Sequence, residues 1–171
     1  MSADTVATTA AAGRAPRLDL DVITPNNVGQ LRCLNSALFP VHYPESFYTE
    51  AANNNPLCQL GYFNQVCVAA VCCRREPIPN EGRKQRVYLM TLGVLAPYRG
   101  YGLGTKLLDY ALDQCSKDAS IAEIYLHVQD GNDEALSFYQ KRGFTIRETV
   151  PDYYTNIKPS AAHVLVKCTA S

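Results

Sequence analysis

The chain has no surplus of charge: 16 Lys and Arg are matched by 16 Asp and Glu over 171 residues. A nucleic-acid binder working by bulk electrostatics needs a positive excess to displace counterions, so direct nucleic-acid binding of that kind is excluded. Histidine is scarce, only three at 42, 127 and 163, and there is no Cys-x-x-Cys pair. No histidine stands at ligand spacing from a cysteine, which argues against a structural metal site. No stretch is apolar enough to cross a membrane, and no secretory signal opens the chain. The cysteines, at 33, 58, 67, 72, 73, 115 and 168, are odd in number and are expected to be reduced, mostly buried thiols in a cytosolic setting. Cys72 and Cys73, adjacent in a strand-like run, should point to opposite faces. Residues 1–16, rich in Ala and Thr, are expected to be disordered. Arg14 and the many hydroxyls leave a transit peptide as a second reading of that tail.

What is present is a full domain's worth of alternating and periodic apolar residues. Leu18–Val22 alternates as an edge strand. Thr24 and Pro25 are expected to cap and open a helix carrying Val28, Leu31, Leu34, Ala37 and Leu38 on one face. Phe39 to Pro44 breaks it, and a short helix from Glu45 to about Ala52 follows. Runs 57–63 and 66–74 read as a hairpin turning at Asn64-Gln65, with a polar loop over 76–84. Strand 86–94 leads into helix 102–116, then strand 121–128 and helix 132–142, stopped by Gly143. Strands 145–150 and 163–167 close the order, flanking an aromatic loop. That order predicts one α/β (α+β) domain over 17–168, a twisted, mostly antiparallel mixed sheet with helices on both faces.

The most informative segment runs from Val87 to Lys106. A strand ends abruptly and delivers Arg99-Gly100-Tyr101-Gly102-Leu103-Gly104-Thr105 to the first turn of a helix. Free amides and the positive end of a helix favour an anion, and glycines remove the side chains that would keep phosphate away. Arg99 adds a fixed cation. A Walker A loop would need Lys directly after its last Gly, and a dinucleotide fingerprint needs G-x-G-x-x-G; neither spacing is met.

Arg99-x-x-Gly102-x-Gly104 resembles the acetyl-CoA loop of the GCN5-related N-acetyltransferase (GNAT) superfamily. Asn132-x-x-Ala-Leu-Ser-Phe138-Tyr139-x-x-x-Gly143-Phe144 resembles that family's second signature. More narrowly, Phe39-Pro-Val-x-Tyr43, Tyr-x-Met-Thr-Leu-Gly-x-Leu-Ala-Pro-Tyr-Arg, Ile-Tyr-Leu-His127-Val-Gln, Tyr153-Tyr154 and Ala162-His163-Val164 together resemble the San-type catalytic subunit family of the NatE N-terminal acetyltransferase, from about Leu18 to Lys167. The resemblance implies acetyl transfer from acetyl-CoA to the α-amino group of proteins that begin with Met and a hydrophobic residue. It implies Tyr88 and His127 as the catalytic pair, acting as base through ordered water. For acetyl-CoA it implies Leu92, Gly93, Val94, Arg99, Gly100, Tyr101, Gly102, Leu103, Gly104, Thr105, Asn132 and Tyr139. For the acceptor peptide it implies Phe39, Pro40, Val41, Tyr43, Met90, Tyr153, Tyr154 and Ile157, with Arg74 in support. Nascent or free protein N-termini are the implied partners, with the NatA subunits at the ribosome beside them, in cytoplasm and nucleus. Two departures from the family stand out: Gly100 replaces a second Arg, and Asp130-Gly131 brings a negative charge towards the cofactor edge.

The residue chemistry supports part of this independently. Tyr88, Met90 and Leu92 are expected to share one strand face, and Tyr125 and His127 one face of the next. Phe138 is read as a core residue. At pH 7 a Tyr of pKa about 10 is ionised about once in a thousand, whereas a His near 6.5 is mostly neutral. Tyr88 would therefore need a large depression to serve as a base, or else positions water. An α-amine near pKa 8 is neutral about one time in ten, a Lys about once in several thousand, so a modest base suits an α-amine. Two alternatives stay open: a lysine side-chain acetyltransferase, and a largely non-catalytic, acetyl-CoA-bound subunit of NatA.

Overall fold

The computed structural model describes residues 13–169. Residues 1–12 of the expected disordered tail lie outside the described residues. The elements are β1 (Leu18–Val22), α1 (Val28–Leu38), α2 (Glu45–Ala51), β2 (Gln59–Phe63), β3 (Val66–Pro77), β4 (Gln85–Val94), α3 (Leu103–Ser116), β5 (Ile121–Gln129), α4 (Asp133–Gln140), β6 (Thr145–Val150) and β7 (Ala162–Cys168). The sheet runs β1-β2-β3-β4-β5-β7-β6, with β4–β5 parallel and the other pairs antiparallel. The β2–β3 hairpin turns where expected, through Asn64 (φ 45) and Gln65 (φ 71). Both are left-handed, as a tight turn matching the strand twist requires.

Two apolar layers sandwich the sheet. Leu103, Leu107, Leu108, Ala111 and Cys115 of α3 pack with Tyr139 of α4 on one face; Leu31 and Leu34 of α1 pack with Phe47, Tyr48 and Ala51 of α2 on the other. Cys73 lies in the first layer and Cys72 in the second, opposed as the alternation demands. No helix of the described residues is long and apolar enough to cross a membrane.

Helix α1 begins later than Thr24. Residues 25–27 form a turn closed by the Thr24 carbonyl, which accepts from the Val28 amide at 2.9 Å, and Asn27 is the N-cap position, its side chain accepting from the Thr24 amide at 2.7 Å and donating to the Val22 carbonyl at 2.9 Å. Ala37 faces solvent, and Asn35 takes the buried place, its amide 3.4 Å from the Tyr48 hydroxyl.

The decisive irregularity is in β4. Cys73 pairs with Leu89 and Cys72 with Thr91, so Met90 is an extra residue in the ladder. Such a bulge rotates the strand and re-aims the side chains after it. Leu89 packs in the α3 layer and Met90 in the α1–α2 layer, but Leu92 returns to the α3 layer. The expectation that Tyr88, Met90 and Leu92 share a face therefore fails at Leu92, and the bulge is the reason.

Candidate active site

The β4–β5 ladder starts at Gln85–Ile121 and ends at Tyr88–Tyr125. Beyond it Leu89–Val94 and Leu126–Gln129 have no partners across the gap, although β5 stays paired to β7 as far as Gln129–Ala162. A parallel pair that splays at its carboxyl ends leaves a crevice with free backbone donors and acceptors. A cavity of about 520 Å³ occupies that place, walled by Leu92, Gly93 and Val94 of β4, the glycine turn, and Asn132, Ala135 and Tyr139 at and in α4.

The turn is built as an anion cradle. Gly100 (φ 84) and Gly102 (φ 89) take left-handed backbone that a side chain disfavours. The first helical bond runs from the Lys106 amide to the Gly102 carbonyl at 3.0 Å. The amides of Leu103, Gly104 and Thr105 thus precede any intrahelical acceptor. Arg99 donates from Nε to the Val94 carbonyl at 2.8 Å, fixing its cation on the same wall. At the opposite wall the Asn132 side chain accepts from the Ala135 amide at 3.2 Å and caps α4.

Eleven of the twelve residues expected at the cofactor line this cavity; the exception is Tyr101, 52% exposed and packed on Phe63 with ring centres 4.9 Å apart. Its alternation in the turn sends it outward, away from Gly100 and Gly102. Six wall residues were not expected there: Leu38, Phe39, Tyr98, Glu134, Ala135 and Phe138. Phe138 both packs against the α3 layer and faces the cavity, and Phe39, expected at the peptide, sits on this side. Asp130 does not line the cavity; its Oδ1 lies 3.1 Å from His163 Nε2.

At the closed end of the crevice stands a compact polar group. The Tyr88 hydroxyl and His127 Nδ1 are 3.0 Å apart. Tyr153 stacks on the imidazole at 4.3 Å and 11°, and Tyr125 lies 4.8 Å from the Tyr88 ring. Arg74, opposite Tyr88 in the β3–β4 register, holds its guanidinium carbon 5.2 Å over that ring. Burial raises the Tyr88 pKa well above the phenol range, helped by the neighbouring Tyr153 hydroxyl. Burial also lowers the His127 pKa, against a smaller opposing pull from Glu148. Both shifts favour the neutral forms at pH 7, a protonated phenol and an unprotonated imidazole.

A second cavity, of about 310 Å³, adjoins this group on the α2 side, and Tyr43, Met90, Arg74 and Tyr88 meet there with Phe47 and Glu50. Tyr43 is stacked on Phe47 at 4.7 Å. The other expected acceptor residues are spread around it. Val41 is exposed with Pro40 in the α1–α2 turn, Tyr154 sits edge-on to Tyr153 at 4.9 Å, and Ile157 is exposed in the loop before β7. Phe47 and Glu50 escaped the sequence reading because α2 shows only a short amphipathic pattern, with nothing that separates a wall residue from a core one.

Residues 28–144 match the Acetyltransferase (GNAT) family. The chain is 48% identical over 155 residues to the N-alpha-acetyltransferase 50 of Danio rerio, covering 91% of this chain and 90% of that protein. It is 43% identical over 150 residues to the probable N-acetyltransferase san of Drosophila melanogaster, covering 88% and 80%. Among solved structures, Arabidopsis thaliana Naa50 in complex with the bisubstrate analogue CoA-Ac-MVNAL superposes with a TM-score of 0.80 at 47% identity, over 88% of this chain and 97% of that one.

Proposed function

The chain belongs to the acetyltransferase (GNAT) family, and we propose that it is an N-terminal protein acetyltransferase, passing acetyl from acetyl-CoA to the α-amino group of proteins that begin with Met and a hydrophobic residue. The relative solved with CoA-Ac-MVNAL carries a Met-Val peptide joined to the cofactor, which is the acceptor class named. The observation that carries the reading is the 3.0 Å contact of Tyr88 and His127 at the closed end of a crevice whose mouth is a phosphate-type turn.

The crevice suits acetyl-CoA. Amides at the start of α3, left-handed glycines and Arg99 match a pyrophosphate. The unpaired edges beyond Tyr88 match a chain that carries amides of its own. Leu92, Gly93, Val94, Asn132 and Tyr139 would hold the rest. Once bound, acetyl-CoA supplies an acyl thioester to the attacking amine.

The proton belongs to His127. For Nε2 to accept it, directly or through water, Nδ1 must carry the other hydrogen and donate it to the Tyr88 oxygen. Tyr88, kept neutral by burial, then has its own hydrogen to give to the neighbouring Tyr153 hydroxyl or, in its place, to water or the amine. In the other tautomer Tyr88 donates to Nδ1 and Nε2 can only donate, so the direction of this hydrogen bond separates a competent from an idle imidazole. Tyr43, Met90, Tyr153 and Tyr154 present apolar area with hydroxyls at its edge, which fits a hydrophobic residue and its backbone carbonyls.

The test is CoA release from acetyl-CoA and the peptide Met-Val-Asn-Ala-Leu. Release is expected with a free N-terminus and not from an N-blocked peptide with an internal Lys. The reverse pattern would replace this reading with lysine acetylation. Binding of acetyl-CoA with release from neither peptide would leave the chain without transferase activity.

A further inference from the structure

We propose that Glu76 is a positioning residue of this site, acting through Tyr88; the inference rests on Tyr88 and His127 as the working pair. Glu76 lies near the end of β3, its side chain only 19% exposed. One carboxylate oxygen accepts from Arg74 Nε and Nη2, each at 3.0 Å. The other accepts from Arg86 Nε at 3.3 Å and from the Tyr125 hydroxyl. Both oxygens are thus committed within the sheet.

Register explains why these groups meet. Arg74 stands opposite Tyr88 and Glu76 opposite Arg86 across β3–β4, and Tyr88 stands opposite Tyr125 across β4–β5. Side chains two apart share a face, so Glu76 is tied to its own strand and to the next two, β4 and β5. Each of its partners bears on an aromatic ring of the site. Arg74 lies 5.2 Å over Tyr88, Arg86 lies 4.8 Å over Tyr125, and the two rings are 4.8 Å apart. One carboxylate therefore holds the packing of Tyr88 from two directions. It also neutralises guanidinium charge where an α-ammonium must arrive before losing its proton.

Glu76→Gln removes the charge and turns one of the two acceptor oxygens into a donor, so either Arg74 or the Arg86–Tyr125 pair loses its acceptor. The 3.0 Å contact of Tyr88 with His127 tolerates little displacement, because a hydrogen bond weakens steeply with misalignment. Misplacing a working group by about 1 Å can cost about a hundredfold in rate.

Four proteins decide the matter: wild type, Glu76→Gln, Tyr88→Phe and the double variant, assayed with acetyl-CoA and Met-Val-Asn-Ala-Leu. Glu76→Gln should lower kcat about tenfold while the KM for acetyl-CoA stays within about twofold, and Glu76→Asp should recover part of the loss. In the double variant the losses should not multiply, leaving it about as slow as Tyr88→Phe alone, because the two act as a unit. Multiplying losses, or a Glu76→Gln kcat within about twofold of wild type, would overturn the proposal. The imidazole ¹⁵N spectrum reads the same claim without turnover: Glu76→Gln should move the His127 Nδ1 signal towards its position in Tyr88→Phe. An unmoved signal sinks the role of Glu76, whereas a wild-type protein that binds acetyl-CoA but acetylates no peptide sinks the transferase reading instead.

Discussion

At the scale of single residues, the same burial acts on Tyr88 and His127 in opposite directions. It favours the protonated phenol and the unprotonated imidazole, which fits the proposed division into a positioning Tyr88 and a proton-accepting His127. We predict that His127→Ala and Tyr88→Phe each lower kcat by about a hundredfold or more, within the usual range for acid–base groups, while acetyl-CoA affinity changes by less than about twofold. Steady-state kinetics beside calorimetry would show it; a variant with an intact kcat removes that residue from the chemistry. The pH profile carries a sign as well. His127, with its pKa lowered, is already neutral at pH 7 and loses the ability to accept only as pH falls below about 6.5. The acceptor amine gains reactivity up to about pH 8. Tyr88, with its pKa raised, adds no falling limb near pH 10. A kcat/KM that rises to about pH 8 and then stays flat is expected, and a fall centred on pH 10 would show Tyr88 ionising as an ordinary phenol.

At the scale of elements, the glycine turn separates two kinds of glycine. Gly102 is left-handed at φ 89, so Gly102→Ala should cost about 1–2 kcal/mol of local strain and weaken acetyl-CoA binding about tenfold. At Gly104 an added Cβ would meet only Val94 at 3.6 Å and Phe138 at 3.9 Å, ordinary contacts, so Gly104→Ala should leave the melting temperature unchanged. Thermal melts and titration calorimetry on the two variants would expose a reversal. The turn was legible in the sequence because glycine spacing, an abrupt strand end and an apolar 3.6 period coincide there. Most strands were legible from their alternation. The β4 bulge was not: one extra residue leaves the apolar pattern intact, and only pairing with β3 reveals it, so Leu92 was assigned to the wrong face. Thr24 and Asn27 are both good caps, and only the start of the regular helix at Val28 decides between them. Glu76 reads as a polar residue entering a loop until three strands are laid side by side.

At the scale of the whole molecule, the thiols report on the core. Cys33 and Cys168 are exposed, Cys67 is half-buried, and Cys58, Cys72, Cys73 and Cys115 are buried, with burial pushing the Cys115 thiol up to about 11. A thiol-specific reagent at pH 8 should label Cys33 and Cys168 quickly and the buried four only on unfolding. Fast labelling of Cys72 or Cys73 would mean that one of the two apolar layers is open. The parting of β4 from β5 has a larger consequence. Residues up to Ser116 hold Tyr88, Arg74, Glu76 and the glycine turn, while residues from Ile121 hold His127, Asn132, Tyr139 and Tyr153. Each group proposed for the site thus has its counterpart on the far bank of a seam bridged by a short ladder. The proposed activity is then a property of the join, and a fragment trimmed from either side of it would keep only one bank of the site.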